Sequence, residues 1–323
     1  MALYVVGQDV RVTRLDDAAQ PATTAAPAPG APFRRIGLVV HPKRTIDGAL
    51  RTVREWAGQC GAEVVQVADS GQRRTVADQA DAASCDLVLA LGGDGTTLAA
   101  LHAAARADRP VLGVACGSLG ALTAVSADQL RHALDRVAAG DWTAKPLRGL
   151  QITADGGEPR AAINDVVIVR RGASQVAIEI RVDGELYVRF AGDGLVLATP
   201  IGSSAYTMAA GGPILAPGSD GFVLTPLAPH GGCCPPFVAP GASSATIGIE
   251  PGHAGSRIEI DGQVTDLQPH ELTATLVGDY ATLVGLGDAE PMIAGLRRRR
   301  VIIDSPRMLA RDEREALGGA LGS

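Results

Sequence analysis

Residues 91–98, Leu91-Gly92-Gly93-Asp94-Gly95-Thr96-Thr97-Leu98, directly follow the apolar run Asp86-Leu87-Val88-Leu89-Ala90. An apolar strand that ends in glycines around one aspartate and then opens into a helix is typical of a phosphate-binding loop. Glycine backbone adopts positive φ, so a pyrophosphate approaches its N–H groups closely. The helix expected from about Thr96 adds its positive end to the same place. Because the Asp94 carboxylate lies where an anion would bind, it must hold a metal or take a proton. The stretch therefore predicts phosphoryl transfer.

Around this loop, from residue 35 to about residue 140, short apolar segments alternate with segments of helical periodicity. Strands of five or six residues separated by helices predict a parallel sheet covered on both faces, as in Rossmann-like domains. Such sheets bind ligands at the carboxyl ends of their strands, where the glycine loop lies. The predicted strands are 36–40, 63–67, 86–91 and 111–115, and the predicted helices are 46–60, 73–83, 96–105 and 127–139.

From about residue 147 the pattern changes to short, alternating segments that indicate a β-rich module. A hairpin is predicted at Val182-Asp183-Gly184, since Asp-Gly favours a tight turn. The end of the chain is predicted to be helical over 306–317. The strands predicted in this part are 163–169, 177–181, 185–190, 194–199, 221–225, 245–249, 257–260, 271–277 and 281–285.

These patterns predict four parts and a fold of the α/β plus β-rich class. Residues 1–33 would form a tail and flexible linker, because prolines and alanines crowd its second half. Residues 34–146 would form the parallel α/β domain, and residues 147–288 a β-sandwich-like, nucleotide-binding domain. Residues 289–323 would return to the α/β domain.

Composition narrows the classes of function. The 323 residues carry a net charge of −6, which gives no basic field for nucleic acid, and no apolar run is long enough to cross a membrane. The five cysteines form no CxxC pair and the six histidines are scattered, so neither a disulfide framework nor a zinc site is predicted. The expected compartment is the reducing cytoplasm. Arg297-Arg298-Arg299-Arg300 is interpreted as a solvated charge run, with a phosphate or subunit contact as the alternative.

A second glycine-rich block runs from Gly192-Asp193-Gly194 through Thr199-Pro200 to Gly202-Ser203-Ser204-Ala205-Tyr206. Its small residues allow close approach of a base or ribose, and its hydroxyl and backbone N–H groups read polar edges. Tyr206 would stack or donate a hydrogen bond. The block indicates a nucleotide pocket, and an ordinary strand-to-helix turn is the alternative.

In order along the chain, these motifs resemble those of the NAD kinase family. The glycine loop alone is a weak signal because lipid kinases share it, whereas the second block is far more specific. The likeness covers roughly residues 35–304 and implies the NAD kinase/diacylglycerol kinase-like fold. The matching segments are Gly92 to Thr96, Gly113 to Leu122, Asn164-Asp165, Gly192 to Tyr206, Thr225 to His230, and Asp261-Gly262-Gln263.

The resemblance implies a kinase that transfers the terminal phosphoryl of ATP, or of polyphosphate, to the 2′-hydroxyl of the adenosine ribose of NAD. Mg²⁺ or another divalent cation would assist. Asp94 would be the general base, and the alternatives are an organiser of Mg²⁺ or a turn cap. A dimer or tetramer is the expected assembly. The positions implied to bind substrate are Gly92, Gly93, Gly95, Thr96, Asn164, Asp165, Asp193, Ser204, Ala205, Tyr206, Ala209, Asp261 and Gln263.

Several residues depart from the family pattern. Ala115 stands where asparagine is usual, Asp165 where glutamate is commoner, and Ala99 where a basic residue is frequent. The segment after His230 lacks the usual arginine before Pro236. These changes motivate a second hypothesis, a kinase of the same scaffold that acts on a smaller nucleoside or a polyol. A lipid kinase and a catalytically silent NAD-binding regulator are the remaining alternatives.

Overall fold

The computed structural model describes residues 33–67, 74–287 and 291–320. Apart from Phe33, the predicted tail and linker lie outside the described residues. The first part of the chain forms a parallel sheet in the spatial order β5-β4-β1-β2-β3, with β6 beside β5. Its elements are β1 (Arg35–Val40), α1 (Asp47–Cys60), β2 (Glu63–Val67), β3 (Gln79–Ala80), β4 (Leu87–Gly92), α2 (Asp94–Ala105), β5 (Pro110–Ala115), β6 (Val125–Ser126) and α3 (Leu130–Ala138).

The parallel strands are buried on both faces because helices cover each side. Alternate residues of β1 and β4, such as Leu38 and Leu89, pack with Trp56 of α1 and Leu134 of α3. The intervening residues face α2, as Val88 does. Because successive side chains of a strand point to opposite faces of the sheet, the sheet has two apolar faces, each covered by helices. This confirms the predicted α/β architecture.

The second part of the chain is antiparallel and forms a β-sandwich. One layer is a six-stranded sheet in the order β14-β13-β12-β9-β16-β17. The other layer is the continuation of the large sheet, and one apolar core lies between the two. The strands of the two layers, in chain order, are β7 (Thr143–Ala154), β8 (Arg160–Ala162), β9 (Asp165–Arg170), β10 (Val176–Val182), β11 (Glu185–Gly192), β12 (Gly194–Ala198), β13 (Gly221–Leu227), β14 (Phe237–Pro240), β15 (Ser244–Glu250), β16 (Ser256–Ile260), β17 (Gln263–Val264) and β18 (Glu271–Gly285).

The last strand joins the two halves of the molecule. β18 is one strand with an irregular register between Val277 and Ala281, where two strands are predicted from sequence. Its first half pairs with β15 and its second half lies parallel to β5, with Leu283 opposite Val111. The large sheet therefore runs without a break from the α/β part into the sandwich.

The short helices follow the second glycine block and the last strand. They are α4 (Tyr206–Ala209), α5 (Met292–Arg298) and α6 (Pro306–Ala320), which confirms the helical end of the chain. Among the described residues, no helix has both the length and the apolar composition that a membrane crossing requires. All five cysteines are free thiols, as their spacing predicts.

The predicted helix over 73–83 is wrong within its described part. The structure has the two-residue strand β3 and a 3₁₀ turn over Ala82–Ser84 instead. The buried side chain of Gln66 accepts from the N–H of Val76 and donates to the carbonyl of Arg74, so the segment is held extended beside β2. Asp81 caps the 3₁₀ turn by accepting from the Ala83 N–H at 2.7 Å. These bonds to a neighbouring strand override the local helical periodicity.

Candidate active site

The glycine loop lies at the carboxyl end of β4, between β1 and β5. α2 begins at Asp94 rather than near Thr96, so the predicted start of the helix is two residues late. A Cβ at Gly92 would lie 2.1 Å from the Thr96 hydroxyl oxygen, which leaves room for no other residue. The Thr97 hydroxyl donates to the Gly93 carbonyl at 3.1 Å and fixes the turn. The loop therefore places the Asp94 carboxylate in the first turn of the helix.

The Asp94 side chain is oriented by the segment that follows β5. Its carboxylate accepts the N–H of Ala121 at 2.8 Å and of Leu122 at 2.9 Å. A Cβ at Gly120 would lie 2.0 Å from Asp94 Oδ1, and one at Gly113 would lie 2.4 Å from the Leu122 carbonyl oxygen. The glycines of the Gly113 to Leu122 segment are thus needed for close approach to the acid. Asp94 remains partly exposed, with lone pairs available for a substrate.

A cleft of about 700 Å³ adjoins this acid and lies between the two parts of the molecule. Its walls are the loop 119–124, the start of β7, the turn 199–201 with Ser204, the end of β18, and α5. Three cations line it: Lys145, Arg148 and Arg299. Arg148 also pairs with Asp220 at 2.7 Å. An acid beside a group of cations is the arrangement expected for a site that binds polyphosphate.

Arg299 is a functional candidate from the arginine run, for which a phosphate contact was the alternative to a solvated surface. Its Nη1 lies 4.0 Å from Asp94 Oδ2, and the side chain is only 24% exposed. Arg297, two residues earlier, instead pairs in a bidentate manner with Asp304. The arginine run therefore splits into one surface ion pair and one residue of the cleft. Residues two positions apart point to different sides of a helix, but the sequence alone does not define where α5 begins and ends.

A further cation, Arg44, lies against the glycine loop from the β1 side. Its Nη1 would be 3.2 Å from a Cβ at Gly93 and 3.0 Å from one at Gly117. His41 fixes the turn that carries it, because the His41 Nδ1 accepts the N–H of Lys43 and Arg44. Desolvation, followed by the charges of Arg44 and Lys43, lowers the pKa of His41. This loop is at the ligand edge of the sheet, as its position after β1 predicts.

The Asn164-Asp165 pair and the second glycine block are in direct contact. A Cβ at Gly202 would lie 1.9 Å from the Asn164 carbonyl oxygen, so only glycine fits there. The Thr199 hydroxyl donates to the Ile163 carbonyl at 2.6 Å, and the Thr199 N–H donates to the Asn164 carbonyl at 2.9 Å. Since Thr199 and Ser204 line the cleft, these two motifs meet beside the cavity next to Asp94.

Asp165 is the most perturbed acid of this group. The residue is 6% exposed, and burial, followed by the charges of Asp261 and Glu259, raises its pKa to about 7. Two acids in one poorly solvated site oppose each other's ionisation. A carboxyl group whose pKa is raised by burial and by neighbouring acids is common at functional sites.

The Asp261 carboxylate is buried and faces inward. Asp261 and Gly262 form a two-residue turn between β16 and β17, with φ of 49° and 75°. The side chain is 3% exposed and accepts the N–H of Ile163, Asn164 and Asp165 at 2.7–3.0 Å. It also lies 2.5 Å from His102 Nε2. The resemblance implies a substrate contact for Asp261; in the structure Asp261 stands in a turn and its carboxylate is bonded to protein groups.

Asp193 and Tyr206 line a different cavity, of about 430 Å³. This cavity shares no lining residue with the cleft beside Asp94. Asp193 pairs there with Arg170, which sequence analysis did not single out. Ala205, Ala209 and Gln263 are exposed. Of the predicted site residues, Ser204 lines the cleft, while Asp94 and Asn164 adjoin it through Leu122 and Thr199. Asp193 and Tyr206 line the other cavity.

No cluster of three histidine, cysteine, aspartate or glutamate side chains suited to a metal ion occurs among residues 33–67, 74–287 and 291–320. Mg²⁺ typically binds through one or two carboxylates together with the phosphates of a substrate. Asp94, partly exposed beside the cationic cleft, fits that mode of binding.

These features define a class: a protein without the GxxxxGK[ST] loop, in which a glycine loop and its acid lie between a parallel α/β part and a β-sandwich. Family models for the ATP-NAD kinase N-terminal domain and the ATP-NAD kinase C-terminal domain match residues 36–142 and 163–283. The chain belongs to the NAD kinase family.

Relatives and solved structures agree with this assignment. An NAD kinase of Koribacter versatilis is 33% identical over 72% of this chain and 85% of its own length. One of Gemmatimonas aurantiaca is 36% identical over 62% and 70%. An NAD kinase of Archaeoglobus fulgidus, solved with ATP, has a TM-score of 0.62 at 25% identity, covering 79% of this chain and 94% of its own. A yeast NADH kinase, solved with NADH, shares the fold with a TM-score of 0.70 at 20% identity, covering 85% and 89%.

Proposed function

We propose that this protein transfers the terminal phosphoryl group of ATP to the 2′-hydroxyl of the adenosine ribose of NAD, giving NADP and ADP. The observation that carries the proposal is the position of Asp94. Its carboxylate is oriented by two backbone N–H groups at the edge of a cleft lined by three cations. The second glycine block lines the same cleft through Thr199 and Ser204, and the Thr199 N–H donates to the Asn164 carbonyl. The names of the relatives and the matched family agree with this activity.

The reaction requires an acid that takes one proton and cations that stabilise the transferred group. The O–H bond of the 2′-hydroxyl breaks and its proton goes to Asp94, while the ribose oxygen forms a bond to the γ-phosphorus. The bond between that phosphorus and the β-bridging oxygen breaks, and its electron pair leaves with ADP. Arg299 and Lys145 would face the phosphates, where they stabilise the charge of the transferred group.

In the alternative role, Asp94 would hold Mg²⁺ together with the phosphates of ATP instead of taking the proton, and the metal would neutralise phosphate charge. Asn164 offers a donor and an acceptor to the adenine edge, and Asp165 accepts from ribose hydroxyls. The backbone of Gly92, Gly93, Gly95 and Thr96 would lie along the phosphates. We place the reaction in the cytoplasm, because the five free thiols suit a reducing compartment.

We also propose that the protein acts as a homo-oligomer. Asp193 and Tyr206 line a cavity with no lining residue in common with the cleft beside Asp94. A second copy would allow both groups of residues to contact one dinucleotide. The division of the chain at residues 34–146, 147–288 and 289–323 stays a prediction. The first of these boundaries falls inside β7.

The test is mass identification of the product from ATP, Mg²⁺ and an equimolar mixture of NAD, adenosine and inosine. We expect NADP with the phosphate at the 2′ position. Asp94→Asn should lower turnover by about 10³-fold or more while the cooperative thermal transition is kept. Phosphorylation of a free nucleoside but not NAD would replace the proposal with a nucleoside kinase. Binding of NAD without consumption of ATP would indicate a regulator.

A further inference from the structure

His102 is a titratable side chain that the proposed reaction does not use. It lies on α2, eight residues after Asp94, or about 12 Å along the helix. Its ring is partly buried between α2 and the sandwich, with Nε2 2.5 Å from Asp261 Oδ2 and Nδ1 3.3 Å from the Tyr280 hydroxyl. The rings of His102 and Tyr280 meet edge to face, with centroids 6.0 Å apart. The helix that begins with the candidate base is thus bonded to the second half of the molecule.

Asp261 connects this histidine to the Asn164-Asp165 pair. Oδ1 accepts the N–H of Asn164 at 2.7 Å and of Asp165 at 3.0 Å, and Oδ2 accepts the N–H of Ile163 at 2.8 Å. The Asp261 N–H donates in return to the Asp165 carbonyl at 2.9 Å. Three consecutive N–H groups that point at one carboxylate fix the direction of the backbone there. The side chains of Asn164 and Asp165 depend on that direction.

The hydrogen-bonding chemistry assigns the protons. An ionised carboxylate only accepts, so His102 Nε2 carries the hydrogen in its bond to Asp261. Nδ1 then accepts from the Tyr280 O–H when the imidazole is neutral. Because Asp261 is 3% exposed, the bond from His102 replaces water that this carboxylate would otherwise need. Loss of the donor would leave a buried anion with backbone partners alone.

We propose that His102 is a positioning residue for NAD: through Asp261 it holds the Ile163–Asp165 backbone, and so sets the geometry of the adenosine contacts. The inference rests on the proposed function for the identity of the ligand. The clamp, by which we mean the hydrogen bonds from His102 to Asp261 and from the Ile163–Asp165 N–H groups to Asp261, consists of protein groups only. His102 would also link the helix of Asp94 to the acceptor side of the cleft. His102 would thus help to position both Asp94 and the ribose hydroxyl of NAD.

The test compares three substitutions that differ in their ability to donate to Asp261. His102→Gln places an amide nitrogen the same number of bonds from Cβ as Nε2, whereas His102→Asn is one bond shorter and His102→Leu has no donor. We expect the calorimetric Kd for NAD to rise about tenfold in the Leu and Asn variants and to return to within about twofold in the Gln variant. The Kd for ATP should stay within about twofold in all three. His132→Leu, at an exposed position of α3, is the matched control.

Hydrogen exchange gives a second measurement that needs neither NAD nor turnover. The amides of Ile163, Asn164 and Asp165 should exchange faster in His102→Leu and His102→Asn, and at the wild-type rate in His102→Gln. If His102→Leu fails to fold, the Asn and Gln pair decides. Unchanged exchange and unchanged NAD affinity in His102→Asn, or equal losses in Asn and Gln, would overturn the proposal. If the wild-type protein makes no NADP, the proposed function is refuted. The hydrogen-exchange rates of the variants would still test whether His102 holds the Ile163–Asp165 backbone through Asp261.

Discussion

Gly120 is essential to the candidate site because it carries no side chain. A methyl group there would lie 2.0 Å from Asp94 Oδ1, so in Gly120→Ala the carboxylate must leave its two N–H donors. We expect turnover to fall at least about a hundredfold, because misplacement of a reacting group by an ångström has that effect. Steady-state formation of NADP measures it, with circular dichroism to show that the fold is kept.

Gly58→Ala is the matched control for that substitution. Gly58 lies on the exposed side of α1, and a Cβ there meets no atom within 4 Å. Alanine should raise the free energy of unfolding by about 0.5–1 kcal/mol, since glycine destabilises a helix interior, and activity should stay unchanged. A fully active Gly120→Ala protein would show that Asp94 does not depend on the 120–122 loop.

The second prediction is that the kcat/KM for NAD depends on pH through Asp165. Its pKa is raised to about 7, whereas the unfolded value is 3.8. Both oxygens of the ionised carboxylate accept hydrogen bonds from the ribose hydroxyls, whereas one oxygen of the protonated form carries a hydrogen. The kcat/KM for NAD should therefore rise about tenfold per pH unit below pH 7 and level off above it. Asp165→Asn should flatten this limb of the profile; an unchanged limb would assign the titration to another group.

The same acid has an opposite effect on stability. Between pH 4 and 7 the folded state binds a proton that the unfolded state has released, so stability falls as pH rises through that window. A pKa raised from 3.8 to about 7 corresponds to about 4 kcal/mol at most. Denaturant midpoints of Asp165→Asn should be less dependent on pH than those of the wild type.

At the residue scale, the sequence predicted what local chemistry determines and missed what depends on distant partners. Glycines around Asp94 indicate a site because the chemistry is contained in five residues. The inward-facing role of the Asp261 carboxylate was not predictable, since its three N–H partners lie 96–98 residues earlier in the chain. His102 is separated from Asp261 by 159 residues, and no pattern in one sequence connects them.

At the scale of elements, α5 and the residue after it carry arginines with different partners. The helix presents Arg297 to Asp304, and Arg299, the residue that follows the helix, lines the cleft. Arg299→Ala should raise the KM for ATP about tenfold or more and leave the KM for NAD nearly unchanged, because a guanidinium–phosphate contact is lost. Arg297→Ala, which removes only an exposed ion pair, is the control. Equal kinetics of the two variants would remove Arg299 from the donor side of the site.

The elements also show where periodicity is sufficient for prediction. Apart from Arg35, β1, β4 and β5 are apolar and buried on both faces, so composition and length predicted them within one or two residues. The segment 74–83 was wrongly predicted as a helix because its structure is set by Gln66 of the neighbouring strand. Where the partners of a backbone lie in another element, local sequence does not specify the outcome.

At the scale of the whole molecule, β18 is a strand of both halves and passes beside the cleft. Its residues pair with β15 and β7 in the sandwich and with β5 in the α/β part. The cleft lies where these pairings change. The α/β plus β-rich architecture was predictable from the change in pattern near residue 147. The shared strand was not, because strand order depends on long-range pairing.

The separation of two cavities in one chain leads to the last prediction. If Asp94 of one copy and Asp193 of another serve the same dinucleotide, Asp94→Asn and Asp193→Asn chains should each be inactive alone. A two-fold symmetric dimer formed from both would contain one intact site and one with both substitutions. After unfolding and joint refolding at equal amounts, half of the dimers are mixed, so activity should recover to about one quarter of wild type. Recovery that is absent, while light scattering shows a dimer, would mean that each chain completes its own site.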